Sequence, residues 1–178
     1  MIRIRRTMQL AMFAALALPM GRAIGQSSIR GRGEWTPYLA VGPSIPTNEL
    51  SAQGNVGFQV AGGAEYRINQ WFGVRPELQF NLIPGRNGAS NVTAFGGGAS
   101  GVFNFVQTGA FRPYAIGYAG IYNLSGGGYG STDLAFGPGI GGRFRCGARD
   151  CFVEARYISV NSPRRNAQLI PISFGWIF

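Results

Sequence analysis

The chain has 178 residues, 29 of them glycine, with aromatic and charged side chains at 13% each and neither lysine nor histidine. Without histidine, Ser–His and Cys–His nucleophile pairs are excluded, and no apolar run reaches the roughly 18 residues of a membrane-spanning helix. The formal charge of +9 would point to nucleic acid in a soluble protein, but the arginines are scattered and form no basic helix, so no nucleic-acid partner is expected.

Residues 1–25 have the layout of a cleaved secretory signal peptide. Arg3, Arg5 and Arg6 precede an apolar stretch from Met8 to Met20, and small residues Ala23 and Gly25 mark a cleavage site. Residues 26–33 read as a flexible lead-in. From Glu34 to Phe178 the chain falls into eight alternating segments separated by turn-forming clusters. Alternation with a period of two is the mark of a strand with one apolar face.

The first segment, 35–43, sets Trp35, Leu39 and Val41 on one face, and residues 44–55 follow as a loop. The second, 56–67, opposes Phe58, Val60, Ala64 and Tyr66 to Gln59, Glu65 and Arg67. The third, 72–82, alternates most clearly: Val74, Pro76, Leu78, Phe80 and Leu82 against Arg75, Glu77, Gln79 and Asn81. Pro-Gly and Asn-Gly pairs mark a loop at 84–90. The fourth, 91–105, places Phe95, Ala99, Phe103 and Phe105 opposite Gly96, Gly98, Ser100 and Asn104. In the fifth, 112–124, Tyr114, Ile116, Tyr118 and Tyr122 are in phase and are assigned to the apolar face, which also takes in Gly120. Residues 125–131 read as a flexible loop. The sixth, 134–144, opposes Phe136, Ile140 and Phe144 to Gly137, Gly139, Gly141 and Arg143. The seventh, 151–160, opposes Val153, Ala155 and Tyr157 to Glu154 and Arg156. The last carries Ile170, Ile172, Phe174, Trp176 and Phe178 on one face.

Each segment is close to the 9–11 residues with which a tilted strand crosses hydrocarbon. The connections after the odd segments look longer than those after the even ones. The expected fold is therefore all-β: an eight-stranded antiparallel up-and-down transmembrane β-barrel with short periplasmic turns and longer outer loops.

At the level of these patterns the chain resembles the small outer-membrane β-barrel family of OmpA and OmpX type. The likeness rests on terminal Phe178 with its alternating aromatics, 73–78 (Gly-Val-Arg-Pro-Glu-Leu), 112–114 (Arg-Pro-Tyr) and 153–157 (Val-Glu-Ala-Arg-Tyr). It implies residence in the outer membrane of a Gram-negative cell, with membrane lipid as partner and no enzymatic activity. It also implies that the carboxyl-terminal aromatics Phe174, Trp176 and Phe178 form a signal read by the barrel-assembly machinery. A monomer with no cofactor is expected.

With apolar faces toward lipid, Glu65, Arg67, Arg75, Glu77, Arg143, Arg145, Glu154 and Arg156 enter the lumen or its rim, in the periplasmic half. Buried charges need partners, so an ion-pair cluster of Glu65, Arg75, Glu77, Arg143, Glu154 and Arg156 is expected across the lumen, with Glu65 and Glu77 facing Arg143 and Arg156. It serves either as a structural plug or as a gate or binding site. Gly96, Gly98, Gly117, Ala119, Gly137 and Gly139 are expected to line the upper lumen, where they either leave a small pocket or let the strands bend. Cys146 and Cys151 bracket a turn and fit a disulfide in an oxidising compartment. The functional reading is a structural or surface barrel with a plugged lumen; the alternatives are a narrow pore or binder of small apolar solutes, and a soluble lipocalin-like barrel with its apolar face inward.

Overall fold

The computed structural model describes residues 33–48, 50, 51, 54–161 and 166–178. The signal peptide at 1–25 and all but the last residue of the lead-in lie outside the described residues.

Nine strands form one antiparallel sheet: β1 (Trp35–Thr47), β2 (Gly57–Arg67), β3 (Phe72–Ile83), β4 (Val92–Asn104), β5 (Phe111–Gly126), β6 (Tyr129–Cys146), β7 (Arg149–Arg156), β8 (Ile158–Asn161) and β9 (Asn166–Ile177). Each pairs with its sequence neighbour except across the break at Tyr157, and β9 pairs with β1, so among the described residues no strand is left as a free edge. Closure satisfies the backbone polar groups that an edge would expose.

The expected seventh segment is observed as two pieces, β7 and β8, in one line. On the β6 side Arg156 faces Gly139 and Ser159 faces Phe136. On the β9 side Ala155 faces Ile172 and Ile158 faces Leu169. The register is thus unchanged across Tyr157, and the barrel has eight staves. Proline explains the interruption: Tyr157 donates its N–H to the Pro138 carbonyl at 2.9 Å, but Pro138 has no N–H to return, and on the other side Pro171, in register with Arg156, has none either. The Tyr157 carbonyl leans onto Gly137 instead. A Cβ on Gly137 would sit 1.7 Å from that oxygen, so only glycine fits there.

Burial follows the alternation. Along β3, Val74, Pro76, Leu78, Phe80 and Leu82 are exposed on the outside of the barrel, while Arg75, Glu77, Gln79 and Asn81 are buried within it. Outward positions of β2, β4, β6 and β9 are likewise apolar. Trp35 with Tyr66, Phe72 with Phe103, and Phe174 with Trp176 form ring pairs with centroids 4.9–5.0 Å apart. These pairs gather at the end carrying the 68–71, 105–110 and 147–148 connections. An apolar belt edged by aromatics, around an interior of charge, is the surface of a chain solvated by lipid. A lipocalin-like barrel needs the opposite arrangement and is excluded.

Two expectations are corrected. On β5 the faces are reversed: Tyr114, Ile116, Tyr118 and Tyr122 are buried in the lumen, and Ala115, Gly117, Ala119 and Ile121 face outward. Residues 125–131 are a tight hairpin rather than a flexible loop. Ser125 pairs with Gly130 and Gly126 with Tyr129, and the two-residue turn is Gly127-Gly128 with φ of 60° and 82°. Two consecutive positive φ values match the right-handed twist of a hairpin and suit glycine. At that end the connections 48–56 and 84–91 are longer than the opposing ones at 68–71, 105–110 and 147–148, as expected, but the turn at 127–128 is not.

Candidate functional site

Six charged side chains from four strands meet in the half of the lumen nearer the 68–71 and 147–148 turns, because alternate positions of β2, β3, β6 and β7 point inward. They form one unbranched chain. Arg143 Nη2 donates to Glu65 Oε2 at 2.5 Å, and the same oxygen accepts from Arg75 Nη2 at 3.0 Å. Arg75 Nη1 donates to Glu154 Oε2 at 2.9 Å. Glu154 Oε1 accepts from Arg156 Nε. Arg156 then forks onto Glu77, with Nη2 2.9 Å from Oε2. Three arginines alternate with three glutamates, so the chain is neutral as a whole.

The sequence-based pairs Glu65 with Arg143 and Glu77 with Arg156 are both in contact, and Arg75 and Glu154 join them. Arg67 and Arg145 stand at the mouth rather than in this chain, Arg145 being exposed.

Neutral side chains complete the arrangement. Tyr38 OH donates to Glu77 Oε2 at 2.5 Å, Ser100 Oγ to Glu77 Oε1 at 2.6 Å and Tyr114 OH to Glu154 Oε2 at 2.7 Å. The guanidinium of Arg75, 1% exposed, lies 4.9, 5.6 and 5.4 Å from the rings of Tyr38, Tyr114 and Phe152. Such ring faces attract a desolvated cation. The sequence signal for Tyr38 and Phe152 was alternation alone; neither stood out as a ligand of the charged chain.

Above the charges the lumen is filled mainly by aromatic and aliphatic side chains, with Ser44, Gln59, Gln79 and Asn81 buried among them. Tyr118, Tyr122, Ile83, Ala94, Ile158, Val160 and Leu169 form one buried cluster, and Tyr122 OH donates to Gln79 Oε1 at 2.6 Å. Lumen-facing glycines make room for the rings. A Cβ on Gly96 would lie 2.4 Å from the Tyr122 ring, one on Gly120 2.3 Å from Tyr118 OH, and one on Gly141 2.4 Å from the Tyr114 ring. Of the two readings of these small residues, the pocket is the one the structure does not bear out, because side chains occupy the space. Gly117 and Ala119 lie outside, as a consequence of the reversed β5 faces.

Cys146 and Cys151 form a disulfide across the 147–148 turn, with Cα atoms 5.7 Å apart. Phe174, Trp176 and Phe178 lie on the outer face of the closing strand, 37%, 38% and 50% exposed.

No protein-family model matches the sequence, and no curated protein matches it. Solved structures do match in three dimensions. Neisserial surface protein A superposes with a TM-score of 0.69 at 18% identity, over 80% of this chain and 95% of that one. Ail, the attachment invasion locus protein of Yersinia pestis, gives 0.52 at 16% identity over 83% and 100%. The outer membrane protein OprG from Pseudomonas aeruginosa gives 0.52 at 11% identity over 85% and 99%. At these identities the shared feature is the fold.

Proposed function

Starting from a chain that has the fold of the small outer-membrane β-barrels, we propose that it is an integral outer-membrane protein with a structural or surface role, non-enzymatic, whose lumen is plugged. The observation that carries this reading is the Arg143–Glu65–Arg75–Glu154–Arg156–Glu77 chain spanning the interior, with the tyrosine-rich cluster stacked above it. An eight-stranded interior is just wide enough for side chains to fill. Here they do so in two layers, one charged and one uncharged. A narrow pore, or a site for small apolar solutes in the upper lumen, would need the volume that Tyr118 and Tyr122 occupy. The barrel acts as a monomer in this reading, and Phe174, Trp176 and Phe178 on the closing strand serve as the signal for the barrel-assembly machinery.

Planar-bilayer recording tests the plug. The expected result is a flat baseline with no unitary openings for the purified protein; reproducible conductance steps in the unmodified barrel would refute it. Replacing Phe178 with a charged residue is expected to leave refolding in detergent intact while slowing assembly in cells. Unchanged assembly would remove the role given to the terminal aromatics.

A further inference from the structure

The ion-pair chain has two unlike ends. At Glu77 it is capped: both carboxylate oxygens are taken by Arg156, Tyr38 and Ser100. At Arg143 it ends inside the lumen without a second carboxylate, its guanidinium 5.0 Å from the ring of Tyr114. Arg143 is 4% exposed, yet its Nε is buried without a partner, and its contact to Glu65 uses an oxygen shared with Arg75.

The surroundings of that end add positive charge. Arg112 is the directly opposite residue on β5, and like charges facing each other across a ladder repel. Its Nε is also buried without a partner, while its Nη2 meets Asp150 at 3.0 Å. Arg145, two residues further along β6 on the same face, is exposed and pairs in register with Asp150. Arg112, Arg143 and Arg145 thus occupy neighbouring inward positions of β5 and β6 at this end of the lumen, where Arg67 also stands, with Asp150 as the local carboxylate and a share of Glu65. A guanidinium presents five donors and matches the geometry of an oxyanion.

We infer that Arg112, Arg143 and Arg145 form an oxyanion-binding site at this mouth, taking a phosphate group as the next negative member of the alternating chain. The group is either a free phosphate in the compartment outside or the phosphodiester of an anionic phospholipid headgroup at the bilayer rim. The site sits at the end of the charged layer, sharing Arg143 with it, and its test reads anion binding rather than conductance. Arg149 provides an internal contrast. It is at the same end but on the outer face, with its guanidinium 4.8 Å from the ring of Phe178, and belongs to the girdle rather than to the site.

The test is thermal unfolding of the whole barrel in zwitterionic detergent, titrated with inorganic phosphate against chloride at matched ionic strength. Phosphate is expected to raise the melting temperature saturably. Arg145→Gln, at an exposed position, is expected to weaken the phosphate Kd by about tenfold, the loss of one charge-assisted contact, and Arg112→Gln by a similar factor. Arg149→Gln is expected to leave it unchanged. A second arm uses nanodiscs of phosphatidylcholine, whose headgroup is zwitterionic, with and without anionic phosphatidylglycerol, in buffer free of inorganic phosphate. Stabilisation by phosphatidylglycerol that is lost in Arg145→Gln and kept in Arg149→Gln assigns the headgroup as the source; a response to inorganic phosphate alone assigns the free ion. Equal effects of chloride and phosphate, equal losses in Arg145→Gln and Arg149→Gln, or no response in either arm would overturn the inference.

Discussion

The two halves of the lumen solve the same packing problem with opposite materials. Near the 68–71 and 147–148 turns the interior is ionic, and each charge is held by geometry: Glu154 accepts from Arg75, Arg156 and Tyr114. Toward the other end it is uncharged and mainly aromatic and aliphatic, built on Tyr118, Tyr122, Ile158 and Leu169 with glycine beside the tyrosines and the amides of Gln59, Gln79 and Asn81 buried among them. The ionic half tolerates no missing partner, because an unpaired charge in a low-dielectric interior is costly. The aromatic half tolerates no added volume, because each ring lies where a Cβ would be.

The largest effect should come from breaking the ionic half at its centre. Glu154→Ala strands Arg75 and Arg156 together and is expected to cost roughly 3–5 kcal/mol, read from urea unfolding in lipid vesicles by tryptophan fluorescence. A loss under about 1 kcal/mol would mean that water or a neighbour takes over the carboxylate's place, and the ionic layer would no longer be the rigid half. Gly96→Val attacks the other layer by pushing a side chain into the Tyr122 ring. Overpacking of this kind is expected to cost roughly 1–3 kcal/mol, seen as a lower melting temperature of the unboiled band on a detergent gel. Wild-type melting would show that the ring has somewhere else to go.

Coupling sharpens the contrast further. A double-mutant cycle on Glu77 and Arg156 should give an interaction energy of roughly 0.5–3 kcal/mol; additive losses would dissolve the chain into independent charges. In the aromatic half, Tyr122→Phe removes a single hydrogen bond to Gln79 and is expected to cost about 1 kcal/mol. The smallest effect belongs outside both layers. Ala119→Leu on the lipid face of β5 should change stability by no more than about 0.5 kcal/mol; a large loss there would contradict the observed orientation of that strand.

The difference between the halves is also a difference in how much the residues alone reveal. Arg75, Glu77, Glu154 and Arg156 alternate with large apolar residues, so their strands can be oriented from the pattern: a charge avoids lipid and an isoleucine or phenylalanine accepts it. On β5 that contrast vanishes. Tyr114, Ile116, Tyr118 and Tyr122 alternate with alanine and glycine, and hydrophobicity by itself sends the larger set outward. Tyrosine suits either environment, since its ring accepts apolar neighbours and its hydroxyl needs one partner. The partners are Glu154 and Gln79, 40 and 43 residues away along the chain. The space comes from Gly96 on β4 and Gly141 on β6, on neighbouring strands.

Local alternation, turn chemistry and charge by themselves determined that this chain is a lipid-facing ring of antiparallel strands with arginine and glutamate inside, because each is a property of residues a few positions apart. Only the closed barrel decided which way β5 faces, that 125–131 is a hairpin, that the charges join end to end, and that the line ends at Arg143 beside Arg112 and Arg145. Those outcomes depend on which side chains from distant strands compete for one narrow lumen, and that competition exists only after the ring has closed.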